Sequence, residues 1–314
     1  MSESTNKTAA TEAPISLAQK LVWGLEAVGF DLLSALLRLF PLETTSNFGG
    51  WLLRTLGPLT RQQRIVQTNL RIAFPYQDQA WIDAKTRGVW DNVGRSFIEL
   101  PFVHQIMADA DRVEVVGQDA LRAIAATGPP TVFVSGHMGN WEIMPATLLK
   151  SGIDTMIGYR AANNPYVEER IRRARARYGV TRFAQKGGQN MRRLFKALND
   201  GVSVALLTDQ RTEEGVASPF FGRPAMTTPG AVQLALRKAA PVRAMSVQRL
   251  PGVRFRVQLH DIIPPPQTGD RDRDVIEMVA SVNAAIEAAV RENPEQYFWV
   301  HRRWPKATYT ESSA

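Results

Sequence analysis

The chain contains no cysteine in 314 residues. That excludes disulfides, zinc–thiolate sites and a thiol nucleophile, and with the last any covalent thioester on the protein. Histidine is scarce as well, with four in all. No two of them stand four apart, as they do on a zinc-binding helix. His104, His260 and His301 are scattered, so the common zinc ligand sets are missing and neither metal nor organic cofactor is expected. There is no Lys-rich tail. The net charge of +8 is mostly arginine and is densest between 170 and 193. Residues 1–14 (MSESTNKTAATEAP) lack the basic-then-apolar order of a signal peptide and read as disordered. No nucleic-acid-binding module and no regular basic–aromatic interleaving is visible, so nucleic acid is not an expected partner.

What is present begins with 17–40, LAQKLVWGLEAVGFDLLSALLRLF, the most hydrophobic segment. Leu17, Leu21, Leu25, Val28, Leu32 and Leu36 recur at helical spacing, and Val22, Leu33 and Leu37 widen the stripe. Glu26 and Asp31 sit mid-segment, where Asp in a membrane helix costs about 2.5–3.5 kcal/mol. An amphipathic anchor lying in the membrane plane, with Trp23 and Trp51 near the interface, fits better than a spanning helix. A buried core helix is the other reading. A second apolar stretch, 48–59, favours membrane contact. Residues 15–60 are thus expected to anchor, and residues 61–310 to form the main domain.

Helical patterns follow at 61–73 and 79–100. From 131 onward strands and helices alternate. Strands are predicted at 131–135, 154–160, 202–210, 241–249 and 254–263, and helices at 140–152, 164–179, 188–201, 230–240 and 273–292. That is the pattern of an α/β sheet, in which loops at the strand carboxyl ends carry the chemistry. Three such ends read SGHMGNWE, YRAANNP and TDQR. On one sheet they would bring His137, Glu142, Arg160 and Asp209 to a common rim.

His137 has the side chain suited to taking a proton near neutral pH. With a turn at Gly139 and a helix from about Asn140, Glu142 lies on the first turn. From there its carboxylate can reach back to the far imidazole nitrogen and hold the tautomer. No serine is placed as a nucleophile, since VSGHMG is not a nucleophile elbow. The dyad should therefore activate a hydroxyl on the substrate itself. The arginines suit a phosphorylated ligand. The plain reading of RIRRARARYG (170–179) is a solvated helix face paired with Glu168 and Glu169.

These residues resemble the late acyltransferases of lipid A biosynthesis, the lauroyl/myristoyl transferases. HMGNWE (137–142) is similar to the family's His-x4-acid motif. GYRAANNP (158–165), TDQRTEEGVASPFFGRPAMTTPGA (208–231) and PEQYFWVHRRW (294–304) resemble three further motifs, in the family's order. The resemblance implies an acyltransferase-type α/β fold, with a central mixed sheet flanked by helices and a membrane-associated helical segment at the N-terminus. It implies transfer of a fatty acyl group from acyl carrier protein to a hydroxyl of a lipid A precursor, on the cytoplasmic face of the inner membrane, without a cofactor. His137 would be the general base and Glu142 its partner. Asp209 and Gln210 form the Asp-Gln motif, and Arg175 is the positional match for an active-site arginine. Asn140 and Arg160 take supporting roles. Other acceptors, such as a lysophospholipid or another glycolipid, and acyl-CoA as donor stay open, as does a non-catalytic basic lipid-binding protein.

Overall fold

The computed structural model describes residues 15–185 and 190–311. The disorder expected of residues 1–14 and the start of the helix expected at 188 lie outside these residues. The chain opens with five helices: α1 (Leu17–Leu37), α2 (Leu42–Leu56), α3 (Gln62–Ala73), α4 (Gln79–Glu99) and α5 (Val103–Ala108). Then β1 (Val113–Val116), α6 (Gln118–Thr127), β2 (Val132–Ser135), α7 (Ile143–Lys150), β3 (Thr155–Tyr159), α8 (Pro165–Ala176), β4 (Phe183–Gln185), α9 (Asn190–Asn199) and β5 (Ser203–Leu207) alternate. The hairpin β6 (Arg211–Phe220) and β7 (Arg223–Thr227) is followed by α10 (Gly230–Lys238), β8 (Val242–Leu250), β9 (Arg254–Ile263), α11 (Arg271–Glu292) and α12 (Lys306–Glu311).

Seven strands form one mixed sheet in the order β1-β9-β8-β2-β5-β3-β4. β2, β3, β4, β5 and β8 run parallel. β9 is antiparallel to β8, and β1 runs with β9. Because side chains alternate along a strand, each central strand feeds two cores. Val132, Val134 and Val204 pack on one face with α10 and α11. Phe133, Ala205 and Ile157 pack on the other with α7. The sheet is thus covered on both sides by helices, as the parallel pattern requires. The five parallel strands present their carboxyl ends at one rim.

The alternation predicted from 131 onward is present, and three features were not read from the sequence. β1 and β4 have only four and three residues, too short for periodicity to register. β6 carries charge, Gly and Pro and reads as loop. Its hairpin turns at Phe221 and Gly222, both at positive φ, the geometry of the tight turns that match strand twist. Phe220 and Phe221 then pack on Trp304 and Trp299 at 6.0 and 5.9 Å between ring centres. The FFGRP and FWVHRRW stretches thereby clamp each other through Phe220, Phe221, Trp299 and Trp304.

α1 and α2 differ from every other long helix. Gly49 and Gly94 let α2 and α4 cross closely: a methyl group at Gly94 would lie 2.1 Å from the Gly49 carbonyl oxygen. α2 buries Thr45, Ser46, Gly49 and Gly50 and exposes Phe48 and Trp51. α1 exposes Leu17, Leu21, Leu25, Leu32 and Leu36. The charges that disfavour a spanning helix are used in docking. Asn164 donates to the Glu26 carboxylate at 2.8 Å, and Arg170 donates to Asp31. Among the described residues no helix is long and apolar enough to cross a membrane.

Candidate active site

Strand register builds the centre of the site. β2 and β5 are neighbours, with Ser135 opposite Leu207. Two residues beyond each stand His137 and Asp209. Asp209 is 1% exposed and grips His137 twice. One carboxylate oxygen accepts from the His137 backbone N–H at 2.8 Å and the other meets Nδ1 at 2.7 Å. A carboxylate can only accept, so Nδ1 carries the proton and Nε2 is the basic nitrogen. Burial opposes the charge on Asp209, but His137 outweighs it and holds the carboxyl well below the usual range. The acid therefore stays ionised throughout the neutral range and fixes ring and tautomer.

His137 lines a cavity of about 660 Å³ at the strand rim. Its ring is packed by Trp141 and Phe298, at 5.3 and 5.9 Å. The cavity lining includes apolar Leu206, Met191 and Leu194 together with polar and cationic Arg160, Gln210 and Arg211. Such a volume is typical of a small-molecule site, and its mixed lining suits a ligand with a polar head and an apolar chain.

The second charged pair on the cavity wall is Glu142 with Arg175. Arg175 donates to the two carboxylate oxygens at 2.6 and 2.9 Å, and the Tyr178 hydroxyl adds a third bond at 2.6 Å. Burial alone would raise the carboxyl of Glu142. Arg175, Tyr178 and the field of His137 reverse this and hold it below its ordinary value. Arg175 also stacks over Tyr159 at 4.9 Å. One guanidinium nitrogen, Nη1, is buried and has no hydrogen-bond partner in the described structure.

Residues 23–306 match the model of the bacterial lipid A biosynthesis acyltransferases. The chain belongs to this family. It is 24% identical to a lipid A biosynthesis acyltransferase of Haemophilus influenzae over 88% of this chain and 86% of that one. It is 24% identical to the lipid A biosynthesis lauroyltransferase of Escherichia coli, covering 78% and 80% of the two chains. It is 26% identical to the palmitoleoyltransferase of the same organism, covering 81% and 82%. Among solved structures it is similar to a 1-acyl-sn-glycerophosphate acyltransferase from Thermotoga maritima. That match has 13% identity and a TM-score of 0.36, over 77% of this chain and 94% of the other.

Within this acyltransferase the structure corrects three sequence expectations. Glu142 does not hold the imidazole; Asp209 does. Asn140 accepts the Glu142 N–H on its own side chain at 3.2 Å, so α7 starts at Ile143 and not near Asn140. Glu142 then faces α8, where Arg175 takes it. Asn140 is fully buried and bonds Glu99 instead of lining the cavity. Arg160 and Gln210 are exposed at the rim. Glu168 is not an arginine partner: it is buried and accepts from the Ala162 N–H at 2.8 Å and from the Tyr159 hydroxyl. Glu169 pairs with Arg173 as expected.

Sequence reasoning passed over His301. Burial, with His137 and Arg303 adding, pushes this imidazole down to about 4 against the pull of Asp209. A neutral second histidine thus stands behind the dyad, its ring 5.8 Å from that of Phe298. Its place inside HRRW was the available signal. Tyr178, one residue before Gly179, offered no signal of its own.

Proposed function

We propose that this chain transfers a fatty acyl group from an acyl-carrier-protein thioester to a hydroxyl of a lipid A precursor of the Kdo-lipid IVA type. The observation that carries the reading is the clamp of Asp209 on Nδ1 and the backbone of His137. It leaves Nε2 basic on a residue that lines a cavity with both apolar and cationic side chains. Nε2 takes the acceptor's proton as its oxygen attacks the thioester carbonyl. The tetrahedral intermediate collapses, the C–S bond breaks, and the imidazolium returns its proton to the departing thiolate. Asp209 by direct contact and the Glu142 carboxylate through its field stabilise the transient imidazolium. The Gly139 N–H, an oxyanion donor suggested by the strand-to-helix turn, donates instead to the Gln296 carbonyl at 3.0 Å. The thioester already carries the activation, so the reaction calls for no cofactor.

The membrane reading rests on the bare apolar faces of α1 and α2. On α1, Leu17 and Leu25 are each 74% exposed and Leu32 66%, and on α2 Trp51 is 53% exposed. Apolar surface of that extent suits an in-plane anchor, supported by the positive charge against anionic lipid on the cytoplasmic face of the inner membrane. The acidic carrier protein would meet the same basic surface, with steering that salt weakens.

The test is acyl transfer by purified protein from a panel of acyl-carrier-protein thioesters to a Kdo-bearing precursor. His137→Ala and Asp209→Asn should each lower turnover by about two to four orders of magnitude. Near wild-type turnover in a folded His137→Ala protein would sink the mechanism. Slow His137-dependent thioester hydrolysis without acylated product would keep the chemistry and discard the acceptor.

A further inference from the structure

Beneath the active-site turn lies a charged pair that the mechanism does not use. Glu99, at the end of α4, is completely buried. Its carboxylate is fully satisfied. One oxygen accepts from Ser46 and Arg249, both at 2.6 Å. The other accepts from Arg249 at 2.9 Å and from the side-chain amide of Asn140 at 2.8 Å. Asn140 is itself fully buried, and its carbonyl oxygen takes the Glu142 N–H. The same α4 surface holds the preceding residue: Asn92 and Ser96 donate to the Gly139 carbonyl at 3.0 and 2.7 Å. Gly139 is at φ +58°, and a methyl group there would lie 2.3 Å from the Val247 carbonyl oxygen. The turn is therefore tied down at the Gly139 carbonyl and the Asn140 side chain by α4, and at the Gly139 N–H by the Gln296 carbonyl.

Buried ion pairs are poor sources of stability, because desolvation cancels most of the attraction. What such a pair can supply is a unique arrangement of donors and acceptors. Here every bond converges on the segment that presents Trp141 against His137 and Glu142 toward Arg175.

We propose that Glu99 is a positioning residue for acyl transfer: through Asn140, and together with Arg249, it sets the turn that places Trp141 and Glu142 around His137. Its catalytic readout rests on the acyl-transfer reading above. The direction of the Glu99–Asn140 hydrogen bond makes it testable by exchange. Asn140→Asp alone sets acceptor against acceptor. Glu99→Gln alone sets donor against donor. The double variant Glu99→Gln/Asn140→Asp reverses the bond, keeps the net charge and leaves an acceptor for the Glu142 N–H, while its new amide also faces the Arg249 guanidinium that had donated to the same oxygen, so the rescue is partial.

Two quantities are measured on folded protein, kcat and KM in the transfer assay and amide hydrogen exchange of segment 137–143. Asn140→Asp should lower kcat about 100-fold, the scale of a small misplacement near the chemistry. KM for both substrates should stay close to wild type, and exchange of the segment should accelerate. The double variant should recover part of both losses relative to the single variants, the remaining deficit coming from the Arg249 contact. If Asn140→Asp does not fold, Glu99→Gln takes its place with the same rescue. Wild-type exchange and kcat in the single variants overturn the proposal, as does a double variant no better than either single. A lower melting temperature with unchanged kcat per folded molecule also overturns it, leaving Glu99 a structural residue. A wild-type protein that transfers nothing would overturn the functional reading, while the exchange comparison still decides the positioning.

Discussion

α1 and α11 have nearly the same length and the same kind of apolar stripe, and they use it in opposite ways. α11 turns Val275, Met278, Val279, Val282, Ile286 and Val290 into the core. α1 buries Ala27, Ser34 and Leu37 and leaves most of its leucines bare. α2 repeats the inversion, with small and polar residues against α4 and aromatic residues outside. An amphipathic stripe announces that a face will be covered; it does not say by what. On α11 the cover is the sheet. On α1 and α2 nothing in the described chain covers it, and a lipid surface is the cover we propose.

The sharpest way to break this comparison is to make the same exchange on both helices. Val282→Asp buries an unpaired charge beside the sheet and should cost about 4 kcal/mol or more, seen as loss of cooperative unfolding. Survival of a stable fold would deny that α11 is core. Next in size is Gly94→Ala, which forces α2 away from α4. A loss of about 1–3 kcal/mol is expected from overpacking, read by chemical denaturation. No loss would mean that α2 rides loosely on the body. The smallest effect on stability should come from Leu25→Glu/Leu32→Glu in α1. Unfolding should shift by no more than about 0.5 kcal/mol, yet co-sedimentation with anionic vesicles should fall sharply. Equal vesicle binding by this variant would remove the lipid reading of the bare face.

The sequence was legible where side chains repeat over enough residues. β2, β5, β8, β9 and α11 were visible in their runs of Val, Ile and Leu. β1 and β4 were too short, and β6 was too polar. Charged residues in α1 were read as arguments against a spanning helix; the structure shows where they go, onto Asn164 and Arg170. In the site, His137 and Asp209 were each named, but not as partners. Their pairing follows from β2 and β5 lying side by side, although 67 residues separate Ser135 from Ser203 along a path through α7, β3, α8, β4 and α9. Glu142 was the tempting choice because it is near in sequence. Its partners, Arg175 and Tyr178, lie 33 and 36 positions away.

The sequence by itself determined the catalytic histidine as a candidate, the alternation of strand and helix, the absence of thiol chemistry and, through four ordered motifs, the family. Local spacing and composition are enough for those. Tertiary structure alone decided which acid serves the imidazole, that Glu142 answers to Arg175, that Asn140 is anchored to Glu99, and that the leucines of α1 face outward. Each of these depends on which strands become neighbours and which helix faces meet. Those choices are set by packing across the whole chain, and no short window of residues contains them.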